Sequence, residues 1–176
     1  MDIHENRAAH KWTRRELAGR VLWAACRPLF RWSPRLCWGW RRFLLRLFGA
    51  EVAPHVHIHP SAVVFIPWNL RIGECSSVGF GALLYNLGQL TIGEKVTISQ
   101  RAHLCGGTHD FRDEAMPLIK APVTIGDGVW ICADAYVGPG ITVGQRSVVG
   151  ARAVVTKDVP RGAVVAGNPA RVVGAR

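Results

Sequence analysis

Aliphatic residues recur every six positions through most of the chain after residue 50. The longest unbroken series comprises Ile125, Ile131, Val137, Val143, Val149 and Val155. Two shorter series at the same spacing precede it, namely Ile72, Val78 and Leu84, then Ile92, Ile98 and Leu104. The residue after each aliphatic is usually small, which lets the backbone turn a tight corner.

A period of six matches neither a helix nor a long alternating strand, but it suits a short strand followed by a sharp turn. Three such sides make a coil of about 18 residues, and coils must stack because one coil cannot bury its apolar face alone. The sequence therefore predicts an all-β fold over residues 51–176, a parallel β-helix.

Charge divides the chain into two regions. Residues 1–49 hold 11 of the 22 Lys and Arg residues but three of the 12 acidic residues, a net charge of +8. The rest of the chain holds the other 11 basic and nine acidic residues, a net charge of +2. Five of the seven Trp residues also lie in the first stretch. We therefore expect a basic, Trp-rich helical arm at residues 1–50, joined to a nearly neutral repeat domain at residues 51–176.

The arm has helical periodicity in two pieces, Trp12–Leu29 and Leu36–Phe48, separated by Ser33-Pro34. One side of the second piece gathers apolar residues, with arginines elsewhere: Trp40, Leu44, Leu47 and Phe48. A basic amphipathic helix with Trp is typical of membrane surfaces. The alternative is packing on the repeat domain or on a neighbouring subunit. Because no base-reading motif accompanies the charge, nucleic acid is not an expected partner.

Cysteine content and hydropathy predict the compartment. The five cysteines are odd in number and form no C-x-x-C pair, which argues against a disulfide framework or a structural zinc site. No apolar run approaches the ~20 residues of a membrane span, and Val21–Cys26 is too short for the core of a signal peptide. We expect a cytoplasmic protein, with peripheral contact at the inner face of the membrane left open.

The repeat is interrupted between Leu104 and Ile125, an interval three positions longer than one coil of about 18 residues. The polar loop at residues 106–122 contains His109 with several acidic neighbours. An irregular loop on a rigid scaffold is a common place for a site, and a histidine can act as a base near neutral pH. A solvated surface histidine is the alternative. Asp110 or Glu114 could fix its tautomer.

Several segments carry a resemblance to a known family: RRFLLRLFGA, PWNLRIG, LYNLGQLTIG, ISQRAHLCGGTHDF and VVAGNPARVV. With the six-residue repeat, they make the chain similar to the hexapeptide-repeat acyltransferases. Within that family it most resembles the colanic-acid (exopolysaccharide) biosynthesis acetyltransferases, which are related to the maltose, galactoside and nodulation O-acetyltransferases. The resemblance implies a left-handed β-helix, a homotrimer, acetyl-CoA as co-substrate and no metal.

The resemblance also implies a reaction. His109 would act as general base while a sugar hydroxyl attacks the thioester of acetyl-CoA directly. The acceptor would be a sugar or lipid-linked oligosaccharide of an exopolysaccharide precursor, contacted by Asn86 and Asp110. Two alternatives remain open: transfer to an amino group of a nucleotide sugar or other small acceptor, and a non-catalytic β-helix scaffold.

By the same resemblance, seven residues would bind acetyl-CoA: Trp130, Ala133, Gly150, Ala151, Thr156, Lys157 and Arg171. The small residues would let the backbone approach the pantetheine arm, and the lysine and arginine would meet phosphates. The family's next arginine is Gly174 here, so Arg152 is a candidate substitute.

Further histidines suggest a rival site: His55, His57, His59 and His103. The hexapeptide-repeat carbonic anhydrases bind zinc through three histidines on facing coils. Their histidine pattern is absent from this sequence, so we expect no metal site.

Overall fold

A computed structural model describes residues 11–176. The chain begins with two helices, α1 (Arg14–Arg31) and α2 (Trp38–Leu47), and a short 3₁₀ helix follows at Pro67–Asn69. Helix α1 starts with a capping box, in which the side chains and backbone N–H groups of Thr13 and Glu16 bond reciprocally. No helix within residues 11–176 has the length and apolar character that crossing a membrane requires.

After α2, short strands build a prism with three faces. Face A contains β1 (Glu51–Val52), β4 (Leu70–Ile72), β7 (Leu90–Ile92), β12 (Val123–Ile125) and β15 (Thr142–Val143). Face B contains β2 (His57–Ile58), β5 (Ser77–Val78), β8 (Thr97–Ile98), β13 (Trp130–Ile131), β16 (Val148–Val149), β18 (Ala163–Ala166) and β19 (Arg171–Ala175). Face C contains β3 (Val63–Val64), β6 (Leu83–Tyr85), β9 (His103–Cys105), β14 (Tyr136–Val137) and β17 (Val154–Val155).

Pairing within each face is parallel, except that β19 returns antiparallel to β18. A separate antiparallel hairpin, β10 (Gly107–His109) and β11 (Leu118–Lys120), projects from the corner between faces C and A. The repeat aliphatics point inward and are almost completely buried in one continuous core. The predicted parallel β-helix with an N-terminal helical arm is therefore confirmed.

Coils in the first part of the β-helix are longer than the six-residue period predicts. Val52 pairs with Ile72 and Ile72 with Ile92, whereas later in the chain Ile125 pairs with Val143. Each of the first two coils therefore contains two positions more than the later one.

The interruption of the repeat lies within a single coil, which runs from Ile92 to its partner Ile125. Leu104 and Ile125 lie on successive faces of that coil, C and A, so the whole interruption occupies the corner between them. The 21 positions from Leu104 to Ile125 therefore contain the hairpin and no complete coil, because the hairpin leaves the β-helix and returns to it at one corner.

The two additional residues of each early coil also lie at the corner between faces C and A. There the side-chain amide of Asn86 is buried and completes the backbone hydrogen bonding of the coil before it. Its Oδ1 accepts from the N–H groups of Phe65 and Ile66 at 3.1 and 3.0 Å, and its Nδ2 donates to the Ile66 carbonyl. The buried amide satisfies the Ile66 N–H, which the wider corner leaves without a strand partner, and adds a second acceptor for the Phe65 N–H, which also donates to the Leu84 carbonyl at 3.1 Å.

The arm packs on the β-helix through side chains that the periodicity did not single out. The indole Nε1 of Trp23 donates to the Val64 carbonyl at 2.9 Å, and Trp23 and Phe30 belong to the common core. The aliphatic stripe of α1 points outward instead: Leu17, Val21, Leu22 and Leu29 are exposed.

Helix α2 buries only part of its predicted apolar side, because Leu44 is buried and Phe48 packs against the core. Trp40 and Leu47 are exposed, whereas Arg41 is completely buried beside Leu44. The Arg41 guanidinium donates to the carbonyls of Ile58, Pro34 and Arg35 and to the Ser33 hydroxyl. Burial lowers the pKa of this guanidinium. The arginine is inside because the loop before α2 presents carbonyls that need donors.

Candidate active site

His109 ends strand β10 of the hairpin, and its imidazole is exposed. The ring Nδ1 lies 2.7 Å from the backbone carbonyl oxygen of Met116 on the opposite side of the loop. Since a carbonyl can only accept, Nδ1 must carry the proton. In the neutral ring, Nε2 is then unprotonated, faces away from this bond and can accept a proton from a substrate.

The carboxylates of Asp110 and Asp113 accept hydrogen bonds from backbone groups of the same loop. Oδ1 of Asp110 accepts from the backbone N–H of Arg112 at 3.0 Å, and that of Asp113 accepts from Ala115 at 2.8 Å. Both are local turn bonds of the kind that Asp side chains form. The expectation that Asp110 or Glu114 fixes the tautomer of His109 is therefore wrong, because a backbone carbonyl takes that position.

The base of the hairpin packs tightly against the coil before it. The Gly88 N–H donates to the Gly106 carbonyl at 2.9 Å, and the Ala121 N–H donates to the same carbonyl at 3.0 Å. A Cβ on Gly88 would overlap the backbone of Ala121, and one on Gly107 would overlap Leu87. Glycine at these positions lets two backbone segments meet in the space of one side chain.

A buried thiol lies under the hairpin. Cys105 ends β9, and burial alone would raise the pKa of its thiol, but hydrogen bonding with His103, the Gly107 backbone and Tyr136 outweighs burial and lowers it. Burial, with the hydrogen bond and charge of Cys105 added, raises the pKa of Tyr136 to about 12. Tyr136 therefore keeps its proton near neutral pH and acts here as a neutral hydrogen-bonding side chain.

The residues predicted to bind acetyl-CoA form two groups. Trp130 lies on face B, half-exposed, with its Nε1 donating to the Ser99 hydroxyl at 2.9 Å. Ala133 lies on the corner between faces B and C, and Gly150 and Ala151 lie on the same corner one coil later. A Cβ on Gly150 would lie 3.1 Å from the Val165 carbonyl oxygen, so close coil stacking already requires a small residue there.

The second group is at the last coil. Lys157 and Arg171 line one open depression of about 240 Å³ together with Asp158 and apolar residues. Asp158 accepts a hydrogen bond from the Thr142 N–H at 2.8 Å, so its carboxylate is occupied by the backbone. Thr156 precedes Lys157 at the exposed corner. Two cations beside an apolar wall can hold a phosphate next to a less polar group.

One chain does not bring the two parts of the predicted site together. In a three-faced prism each corner lies opposite one face, and the corner between faces C and A lies opposite face B. His109 projects from that corner, whereas Trp130 lies on face B. Within one chain, His109 and a ligand lying along Trp130 would therefore be on opposite sides of the prism.

Asn86 and the additional histidines have contacts of their own. Asn86 is completely buried, and its amide is bonded to backbone groups. Its contact with an acceptor remains a prediction, and no atom of Asn86 is exposed on the surface of the chain to make that contact. His55 pairs with Glu74 at 3.2 Å, His57 stacks on Trp38, and His59 bonds to Ser61. Within residues 11–176, no three His, Cys, Asp or Glu side chains are grouped to hold a metal ion.

Comparison with known proteins agrees with this architecture. Residues 122–157 match the family described as bacterial transferase hexapeptide (six repeats). The chain is 43% identical over 157 residues to WcaF of Escherichia coli, named provisionally as a colanic acid biosynthesis acetyltransferase, and the match covers 89% of this chain and 86% of that one. It is 32% identical over 136 residues to galactoside O-acetyltransferase of E. coli, covering 76% and 67% of the two chains.

A solved structure gives the same result in three dimensions. The hexapeptide-repeat acetyltransferase VCA0836 of Vibrio cholerae, complexed with acetyl coenzyme A, superposes with a TM-score of 0.78 at 26% identity, covering 99% of this chain and 98% of that one. Helical arm, β-helix and hairpin thus fall within one shared architecture.

Proposed function

The chain belongs to the hexapeptide-repeat family of acetyl-CoA-dependent acetyltransferases, and we propose that it acetylates a sugar hydroxyl of an exopolysaccharide precursor. The observation that carries the proposal is the bond from Nδ1 of His109 to the Met116 carbonyl, which leaves Nε2 as a base on an exposed hairpin. The acceptor class rests on the likeness to WcaF and to galactoside O-acetyltransferase.

His109 performs the proton transfers in this scheme. Its Nε2 accepts the proton of the acceptor hydroxyl while the hydroxyl oxygen attacks the thioester carbonyl carbon. The Met116 carbonyl stabilises the resulting imidazolium by accepting a hydrogen bond from its Nδ1–H group. The C–S bond then breaks, and Nε2 returns the proton to the departing sulfur, which leaves an O-acetyl sugar and free coenzyme A. Positioned base catalysis of this kind contributes about 10²–10⁴-fold in rate.

The residues predicted to bind acetyl-CoA, the acetyl donor, suit a long, thin and anionic co-substrate. Trp130 and the adjoining corner of Ala133, Gly150 and Ala151 offer a flat apolar surface with little side-chain bulk for a pantetheine arm. Lys157 and Arg171, which share the depression at the last coil, would hold phosphate groups. Thr156 lies beside them.

A homotrimer would complete the site. Since His109 lies opposite Trp130 within one chain, the base of one subunit must meet the donor surface of its neighbour. Cyclic symmetry repeats that heterologous contact and closes it. Mixing two inactive variants, His109→Ala and Trp130→Ala/Lys157→Ala, tests this: reassembled mixtures regain part of the wild-type rate if the site lies between chains and stay inactive if it does not.

The arm would bring the enzyme to a lipid-linked acceptor at the membrane. Its exposed apolar side chains include Val21 (69%), Trp32 (81%) and Leu36 (82%). Exposed arginines accompany them along α1 and the loop that follows: Arg14, Arg15, Arg27, Arg31 and Arg35. Apolar side chains among cations suit an anionic bilayer surface better than a second arm of equal charge.

The enzymatic proposal is tested by acetyl-CoA turnover of full-length protein, followed as thiol release. Acceptors are hexoses, nucleotide sugars, amino sugars and lipid-linked oligosaccharides. We expect turnover on a hydroxyl acceptor that falls at least ~100-fold in His109→Ala. Asp113→Asn is the matched control in the same loop, and because Asp113 bonds within its own turn, a small effect is expected there.

Other outcomes separate the alternatives. Turnover confined to amino acceptors would identify an N-acyltransferase. Absence of acetyl-CoA binding would favour a scaffold. Turnover that survives unchanged in His109→Ala would remove this histidine from the reaction.

The membrane proposal is tested by sedimentation with vesicles of phosphatidylcholine and of phosphatidylcholine with phosphatidylglycerol. The variant Val21→Ser/Leu22→Ser/Leu29→Ser should lose binding to the anionic vesicles. Val172→Ser/Val173→Ser, equally exposed on the last strand, should keep it. Whole-arm deletion is a poor test because Trp23 and Phe30 belong to the core. Equal binding by both variants contradicts the proposal.

A further inference from the structure

The arm also contacts the hairpin that carries His109. Nζ of Lys120 lies 3.5 Å from Oε1 of Glu16 and 3.7 Å from the centre of the Trp12 ring. Both carboxylate and ammonium are about two-thirds shielded from solvent. The guanidinium of Arg20 contacts the same indole at 4.2 Å. The end of Lys120 is thus held between one carboxylate and one aromatic ring, both supplied by the arm.

The arm side of this cluster is held in place by hydrogen bonds. Glu16 is fixed by the capping box, with its Oε2 accepting from the Thr13 N–H at 2.7 Å. Hydrogen bonding to Thr13, with a further contribution from Lys120, lowers the pKa of Glu16. The carboxylate is therefore charged near neutral pH. Helix α1 is in turn anchored to face C by the bond from Trp23 to Val64.

The hairpin side leads directly to His109. Lys120 pairs with Gly107 in the ladder, and His109 pairs with Leu118. Strand β11 begins shortly after Met116, whose carbonyl binds Nδ1 of His109. A displacement of β11 would therefore move both the paired strand β10, which carries His109, and the Met116 carbonyl that orients the imidazole.

We propose that Lys120, held by Glu16 and Trp12, is a positioning residue that keeps the hairpin, and with it the tautomer of His109, in the arrangement required for base catalysis. The inference rests on the proposed function of His109 as base. It gives the arm a second task, separate from any contact with a membrane.

Lys120→Met tests the proposal, because methionine keeps most of the length and removes the charge. We expect a roughly tenfold lower kcat, the scale of a small misplacement of a catalytic group, with an unchanged Kd for acetyl-CoA. Lys120→Arg keeps the charge and the ring contact and should restore the rate. Lys95→Met is the matched control at an exposed corner elsewhere, between faces A and B.

A second readout does not depend on catalysis. In protein with ¹⁵N-labelled histidine, the His109 signals are assigned by their loss in His109→Gln. Wild type should show neutral His109 as the Nδ1–H tautomer, and Lys120→Met should shift it toward the Nε2–H form. An unchanged tautomer and an unchanged kcat in Lys120→Met overturn the positioning role. Full activity of His109→Ala would instead overturn the base assignment, which keeps the two failures distinct.

Discussion

The β-helix has two halves that differ in how they turn one corner. A coil of the lower half (residues 51–105) is two positions longer than the first coil of the upper half (residues 123–165), as the pairs Ile72–Ile92 and Ile125–Val143 show. The corner between faces A and B and the corner between faces B and C have the same length in both halves, and the difference lies at the corner between faces C and A. The interruption at residues 106–122 grows from that same corner. The corner that already accommodates two additional residues is thus the one from which the hairpin with the candidate base His109 projects.

The two halves satisfy this corner by different means. In the lower half a buried Asn86 amide completes the backbone hydrogen bonds. In the upper half Gly138, Pro139 and Gly140 make a tight turn, with Gly140 at a φ of +77°. The lower half therefore stabilises its corner with side-chain hydrogen bonds, whereas the upper half turns its corner through the conformational freedom of glycine.

The largest effect on stability should come from filling the lower corner. A Cβ in Gly88→Ala would overlap the backbone of Ala121, and backbone cannot move aside cheaply. We expect a loss of about 3 kcal/mol in the free energy of unfolding and displacement of the hairpin. Urea unfolding measures it. The control is Gly174→Ala, which has nothing within 4 Å of the added Cβ. Equal stability of both variants would show that the corner is loose.

Removing the buried amide should have the next largest effect. Asn86→Ala leaves the buried N–H group of Ile66 without an acceptor, at a cost of about 2 kcal/mol, whereas the Phe65 N–H keeps its bond to the Leu84 carbonyl. Ser147→Ala is the comparison in the upper half, because Ser147 is equally buried but makes one bond, to the Pro160 carbonyl. We expect about 1 kcal/mol there. The same urea experiment compares them, and a reversed order would refute the account of the wide corner.

Co-substrate binding should depend on the upper half. In Lys157→Ala/Arg171→Ala we expect the Kd for acetyl-CoA to rise roughly tenfold, the scale of one exposed charge-assisted phosphate contact. Isothermal titration calorimetry measures it. Arg71→Ala, which removes an exposed cation from the lower half, should leave Kd unchanged. If the double variant also binds normally, the phosphates lie elsewhere, with Arg152 the next candidate.

The smallest effect concerns the ion pair that joins the halves. Arg101, in the lower half, donates two bonds to Asp134, in the upper half, at 2.7 and 2.8 Å. These hydrogen bonds and the arginine charge lower the pKa of Asp134. A lowered folded-state pKa contributes stability above the unfolded-state value, near 3.9, and loses it as pH falls through the folded-state value.

Asp134→Asn should therefore be slightly less stable than wild type at pH 7 and equal to it in strong acid. Urea midpoints between pH 2 and 7 measure the convergence. Arg101→Met should behave in the same way, because the pair is exposed and both partners are needed. A constant difference at all pH values would mean that charge is not involved.

The sequence is a good guide to what repeats and a poor guide to what interrupts the repeat. The series from Ile125 to Val155 predicts strand spacing and buried positions correctly, because each aliphatic performs the same task in each coil. The longer coils of the lower half escape prediction because the interval from Leu84 to Ile92 reads as a gap, although Asn86 fills it with structure.

At the site, the sequence identifies His109 as a candidate base but not what orients it. The orienting group is the backbone carbonyl of Met116, and a carbonyl has no side-chain signature. The burial of Arg41 on α2 is missed for a related reason, because this side chain donates to carbonyls that only the folded chain brings together. Lys120 and Glu16 lie far apart along the chain, and no local pattern links them.

The placement of His109 opposite face B has a consequence for kinetics in dilute solution. If each catalytic unit is shared between subunits, the number of active sites follows the association equilibrium rather than the amount of protein. Specific activity would then fall on dilution and recover on concentration, and a high level of acetyl-CoA, if it binds across the same contact, would shift the equilibrium toward the assembled enzyme.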